Sequence, residues 1–258
     1  MSSYFLRLSE TTFEPTDHVG GAWNENEQHV APVLGLLAHL IEAEHAERRP
    51  AHRLVLARAS YDILGVIPMA PFEVTSRMVR AGRTIELVEA TLAQNGRAAL
   101  TLRAWMMQTG DTAEIAGDPL PQLPARETLE PWSPADLWQG GAIKSIDARH
   151  EKLGLGRARC WIRPQYPLLD AEPTSTRARL LGIADFANGI ATRAEPEDVL
   201  FPNLDLTASL FREPVGEWFG LDTMVSFGAD GIGLTESVLS DVQGPLGTSS
   251  QTLTVRPR

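Results

Sequence analysis

The longest run of helical periodicity extends from Gln28 to Arg49, "QHVAPVLGLLAHLIEAEHAERR". Val33, Leu36, Leu37, Leu40 and Ile41 recur at spacings of three and four and cover a wide arc. The first half of this helix is therefore expected to be buried on most sides, with its charged end in water. Pro32 suits a first turn, where the backbone N–H has no intrahelical acceptor. The period then changes. In "APFEVTSRMVRAG" the alternate positions Phe72, Val74, Ser76 and Met78 form one row, as in a strand. "RTIELVEATLAQNGRAALTLRAWMM" carries two further alternating runs, Thr84–Gln94 and Arg97–Met107. They are split by Asn95-Gly96, a dipeptide suited to a two-residue hairpin turn.

From Gly117 to Trp138 the chain is rich in proline and holds no sustained period, which reads as a linker or boundary. The earlier order then returns. "RARCWIRPQYPLL" contains a short strand, and "TSTRARLLGIADFANGIATR" predicts a helix with Thr174 or Ser175 as N-cap. Strands are expected at about Asp205–Phe211, Glu217–Phe227, Gly233–Asp241 and Leu246–Val255. The halves align: Glu89 falls on Glu236, Leu92 on Leu239 and, after one insertion, Gly96 on Gly244 and Arg103 on Gln251. This order implies a duplication. The expected units are 1–113, a Pro-rich crossover at 114–150, and 151–258. Each would bury one helix against a curved antiparallel sheet, an α+β arrangement.

Charge narrows the partners. The 258 residues carry a formal net charge of −10, with 33 acidic against 23 basic side chains and no dense basic run. Nucleic acid and anionic membranes would be repelled. Cys160 is the lone cysteine, so no internal disulfide forms and a reducing compartment is compatible. The N-terminus lacks the basic-then-apolar order of a signal peptide, and no apolar stretch approaches the ~20 residues of a membrane span. A cytoplasmic location is the expectation.

Four segments carry a resemblance: "VGGAW" before the first helix, "VRAGRTIELVEATLAQNGRAALTLRAW", "LDLTASLFREPVGEW" and "GTSSQTLTVR". In order and spacing they resemble the acyl-CoA thioesterase II family and its actinobacterial thioesterase-like relatives. The resemblance implies a double hotdog fold, two tandem units of a long helix wrapped by a curved sheet. It also implies hydrolysis of an acyl-CoA or related acyl thioester, without metal or organic cofactor, by a dimer of double hotdogs. In that family an Asp, a Thr or Ser, and a Gln from the second unit hold the attacking water. Carried over by spacing, they fall on Asp205, Ser226 and Gln251. Leu206 stands where a His is common, and the hydroxyl is Ser rather than Thr. Arg77, Arg80 and Arg83 lie near the family's basic strand, and Arg80 is expected to bind substrate.

Chemistry adds a donor for the oxyanion. Gly20 and Gly21, just before the first helix, would let a carbonyl oxygen approach backbone N–H groups. Gln251 shares parity with the apolar Leu253 and Val255, so a buried polar side chain is expected there. Asp205 lies opposite the leucines of its own strand, which favours solvent. Asp185, with Asn188 on one face of the second helix, is the rival carboxylate. Two other functions stay open: an enoyl-thioester hydratase using Asp17 and His18, and a non-catalytic acyl-thioester binder. Glu42 and His45 have the spacing of a di-iron pair, but such a site needs a second copy. Cys160 reads as packing.

Overall fold

A computed structural model describes residues 2–258. The first unit holds β1 (Phe5–Arg7), β2 (Thr12–Pro15), α1 (Val30–Arg48), β3 (Val55–Ile63), β4 (Phe72–Arg80), β5 (Ile85–Gln94) and β6 (Arg97–Met107). The second holds β7 (Glu130–Trp132), α2 (Gly141–Lys144), β8 (Ile146–Gly154), β9 (Arg157–Pro164), α3 (Thr176–Ala184), α4 (Ala187–Ile190), β10 (Val199–Leu200), β11 (Asp205–Leu210), β12 (Phe219–Phe227), β13 (Ile232–Asp241), β14 (Gly244–Thr254) and β15 (Arg256–Pro257). Thirteen strands form one antiparallel sheet, ordered β1-β2-β4-β5-β6-β3-β11-β14-β13-β12-β9-β8-β7. The pairing of β3 with β11, with Ala59 opposite Ala208, joins the halves. α1 and α3 pack against each other. The fold is an α+β double hotdog. No helix among the described residues is long and apolar enough to cross a membrane.

The duplication is written into the hydrogen-bond register. β5 and β6 place Glu89 opposite Arg103 and slip by one residue between Leu92 and Ala93. β13 and β14 place Glu236 opposite Ser250 and slip between Leu239 and Ser240. Both hairpins close on two residues, with Gln94 paired to Arg97 and Asp241 to Gly244. The inserted residue expected from the alignment is therefore absent. Arg103 corresponds to Ser250, and the counterpart of Gln251 is Ala104. In the first hairpin Asn95 and Gly96 take φ of 50° and 75°, the left-handed pair that such a turn needs.

Three further differences have local causes. β3 escapes the sequence pattern because a bulge between Leu56 and Arg58 breaks its alternation. The expected crossover contributes β7, α2 and the start of β8, with β7 and β8 paired in the main sheet. The second helix breaks at Asp185, where α3 ends, and restarts at Ala187. Ser175 is its N-cap, its hydroxyl accepting from the Ala178 N–H.

The helices touch through glycine. A Cβ on Gly35 of α1 would lie 2.7 Å from the Ala178 carbonyl oxygen and 2.8 Å from Gly182 Cα, both on α3. Only the absence of a side chain lets the backbones come this close. The crossing brings the start of α1 towards the end of α3.

Candidate active site

Asp185 caps the C-terminal end of α3, and its residue is only 5% exposed. Two amides hold one of its oxygens. Asn203 Nδ2 donates to Asp185 Oδ1 over 2.6 Å and Gln251 Nε2 donates to the same atom over 2.9 Å. Asn203 sits just before β11 and also donates to the Asp205 carbonyl, which fixes its rotamer. Gln251 is 1% exposed on the inner row of β14. Asp185 Oδ2 accepts no hydrogen bond from the protein among the described residues. It lies 3.7 Å from His29 Nδ1.

That approach is not an ion pair. His29 Nδ1 already accepts from the Ala31 N–H over 3.1 Å, so its lone pair is engaged and the proton sits on Nε2. Burial holds the imidazole neutral by lowering its pKa to about 4. Burial pushes the Asp185 carboxyl up to about 7, against the Asn203 and Gln251 hydrogen bonds that favour its charged form. The carboxyl is thus tied at one oxygen, free at the other, and poised near neutral pH.

A cleft of about 330 Å³ opens over this group. Asp185, Asn203 and Asn188 line one side, and His29 and Val30 from the start of α1 line another. Ile63, Leu64, Val66 and Ile67 make its apolar wall. A helix start leaves up to four N–H groups without helical acceptors. Here the His29 N–H donates to the Val19 carbonyl, Ala31 donates to His29 Nδ1, and Pro32 has none. The Val30 N–H is left, at the positive end of the α1 dipole and on the cleft wall.

Of the three residues carried over as the catalytic set, the structure brings only Gln251 to this place, beside the rival carboxylate Asp185. Asp205 is half-buried on the opposite face of its strand from Leu206, and its Oδ1 accepts from the Thr252 N–H. Ser226 is exposed on the outer face of β12 opposite Leu234. Neither reaches Gln251, which faces inward. Strand parity decides this: alternate residues point to opposite faces, and both lie on the outer row. Alanine at Asp205 or at Ser226 is therefore expected to leave any activity of this cluster within about twofold of the parent.

The Gly20 and Gly21 amides are also spent, on the Asp17 and Glu27 carbonyls. Arg80 is exposed and donates to the Ile85 carbonyl. Arg77 pairs with Glu89, and none of Arg77, Arg80 and Arg83 lines the cleft. His18 stacks on Tyr166 at 3.9 Å, away from the cleft. Glu42 bonds Ser175, while His45 Nε2 accepts from the Leu54 N–H. Cys160 is buried, and burial raises its thiol pKa, so it is no nucleophile.

Asn203 and His29 were not anticipated. The one available signal for Asn203 was a polar residue entering a strand of strongly alternating pattern. The first unit shows what the second has added. Register pairs Ala104 with Gln251, and the same spacing pairs Ala38 with Asp185 and Leu56 with Asn203. All three counterparts are apolar and buried, so only one end of the helix pair carries the cluster.

Known proteins share this architecture. A thioesterase-assigned protein from Novosphingobium aromaticivorans superposes with a TM-score of 0.73 and 17% identity, over 99% of this chain and 100% of its own. A hot dog protein of unknown function from Alicyclobacillus acidocaldarius gives 0.75 and 13%, over 97% and 95%. The acyl-CoA thioesterase II TesB2 of Mycobacterium marinum gives 0.68 and 17%, over 98% and 96%. No curated protein sequence matches the chain. Residues 19–107 match the acyl-CoA thioesterase N-terminal domain and residues 117–255 the acyl-CoA thioesterase C-terminal domain. With both halves matched in order, the chain belongs to the acyl-CoA thioesterase family.

Proposed function

We propose that the protein hydrolyses acyl-CoA thioesters, with Asp185 as the general base. The observation that carries this reading is the carboxyl itself: Oδ1 held by Asn203 and Gln251, Oδ2 free at the cleft, and a pKa near 7. Water placed between Oδ2 and a thioester carbonyl gives its proton to Asp185 as its oxygen bonds to the carbonyl carbon. The developing oxyanion accepts from the Val30 N–H, at the positive end of α1. The carbon–sulfur bond then breaks, the carboxylic acid leaves, and the coenzyme A sulfur takes the proton back from Asp185. A positioned base of this kind supplies ~10²–10⁴-fold in rate. Asn203 lines the cleft, whereas Gln251 stands behind the carboxyl as a positioning residue. The hydroxyl expected beside the acid is replaced by an amide.

This assignment replaces Asp205 and Ser226. It also favours hydrolysis over hydration, because His18 does not face the cleft. The test is thiol release from acyl-CoA substrates of graded length across pH. The turnover number should climb as Asp185 loses its proton, reaching half its plateau near pH 7. His29, held neutral by burial down to about 4, adds no step above that. Ligand binding without thiol release at any pH would favour the non-catalytic binder. A flat profile between pH 5 and pH 9 would remove Asp185 as the base.

A further inference from the structure

We propose that Trp132 is a stopper that limits the acyl group to a short chain, by sealing an inner slot off from an open hollow on the other side. The proposal rests on the hydrolase reading above and names the substrate class of that site.

Beyond Ala22, Trp23, His29 and Asn188, which it shares with the cleft, lies an apolar slot walled by Trp132, Trp138, Ile143, Phe186 and Ile190. Its volume is about 30 Å³. That admits roughly two water-sized groups, not an extended alkyl chain. The slot starts next to the carboxyl, since Phe186 follows Asp185 in the chain. An acyl group whose carbonyl meets Asp185 can point its tail there, because the slot's apolar walls continue from the residues that line the cleft beside the carboxyl.

The far wall is one side chain thick. Trp132, Pro134, Ile143 and Ile146 line the slot, and the same four line a surface hollow of about 670 Å³ with Asp147, Arg149 and Trp218. Trp132 is the largest of the four. It is held from both ends. β7 pairs it with Ala148 of β8, and its indole stacks on His150 with centroids 4.4 Å apart and planes at 27°. His150 Nε2–H in turn donates to the Ile190 carbonyl over 2.8 Å, so the stopper is tied to a residue of the slot itself. Trp138, the other indole in the wall, is core: it is 7% exposed, donates to the Gly189 carbonyl and packs edge-on to Trp23 and Phe201. Trp132 is only half-buried, so it is the member of the wall that can be removed without hollowing the core.

The experiment compares the parent, Trp132→Phe and Trp132→Ala on acyl-CoA substrates from two to sixteen carbons, scored by kcat/KM from thiol release. The parent is expected to prefer two to six carbons. Trp132→Ala should raise the ratio of the twelve-carbon rate to the acetyl rate by roughly tenfold or more, and Trp132→Phe should raise it by less. A parent optimum at twelve carbons or longer, or an unchanged length profile in an active Trp132→Ala, overturns the stopper and leaves the hydrolase reading standing. If the parent cleaves nothing, the hydrolase reading fails and the slot is tested alone. Calorimetric binding of S-alkyl-CoA thioethers of the same lengths should then show the same shift on Trp132→Ala, and length-independent binding refutes it.

Discussion

Asp185→Asn is expected to abolish thioester turnover and, above neutral pH, to make the protein more stable. The loss should be at least ~10²-fold, since asparagine cannot take a proton from water. The gain follows from linkage. An Asp with its pKa raised from 3.8 to about 7 keeps its proton in the folded protein over a range where the unfolded chain has lost it. Folding is therefore opposed progressively as pH rises from about 4 to 7, and the full cost remains above that window. The shift corresponds to a penalty on the order of 4 kcal/mol above pH 7. Asparagine keeps Oδ1 as acceptor for Asn203 and Gln251 and places an N–H near His29 Nδ1, so roughly 2–4 kcal/mol should be recovered at pH 8.

His29 supplies the control on the sign. Its folded pKa is lowered to about 4 from 6.5, so its contribution is complete above 6.5 and fades as pH falls towards 4. In the parent the two gradients oppose each other and largely cancel between pH 4 and 6.5. In Asp185→Asn the carboxyl gradient is gone and the histidine gradient is unopposed by it, so stability should rise with pH relative to the parent. Urea midpoints at pH 5 and pH 8 for both proteins read this directly. A variant that turns over like the parent, or is less stable at pH 8, would refute the burial argument.

Gly35→Leu should have the largest effect on folding. Its first side-chain carbon would already sit 2.7 Å from the Ala178 carbonyl oxygen, and the neighbour is backbone that cannot rotate away. The helices would have to separate, costing ~3 kcal/mol, the upper end of overpacking penalties, and displacing Asp185 from His29. Gly65→Ala, with nothing within 4 Å of the added carbon, is the matched control and should change stability by less than about 0.5 kcal/mol. Denaturation midpoints decide between them. Equal stability of Gly35→Leu and Gly65→Ala would mean that the helices do not depend on this contact.

The Asp205 and Ser226 assignments show where spacing stops being informative. Spacing from an Arg or a Trp fixes a residue's distance along the strand, but a shift of one position moves its side chain to the other face. Gln251 was legible because parity with Leu253 is a property of its own strand. Asp185 was legible only as a rival, for its side chain shares a helix face with small apolar residues and nothing local says what lies opposite. The repeat was legible to within one residue; the slip came from an insertion that the equal two-residue turns do not contain. β3 was invisible because a bulge removed its period, although it carries the seam between the halves.

By itself the sequence determined the elements whose physics is local: the long buried helix, the Asn95-Gly96 hairpin, the alternating strands and the repeated order that makes two similar units. Periodicity, turn chemistry and chain order act between near neighbours and are readable from a string. The assembly of the candidate site was decided by tertiary structure. His29, Asp185, Asn203 and Gln251 come from four separate segments, and they converge because two glycines let the helices cross in contact and because β11 and β14 lie side by side. The poised carboxyl arises from the burial that this convergence creates, and burial is a property of the assembled fold.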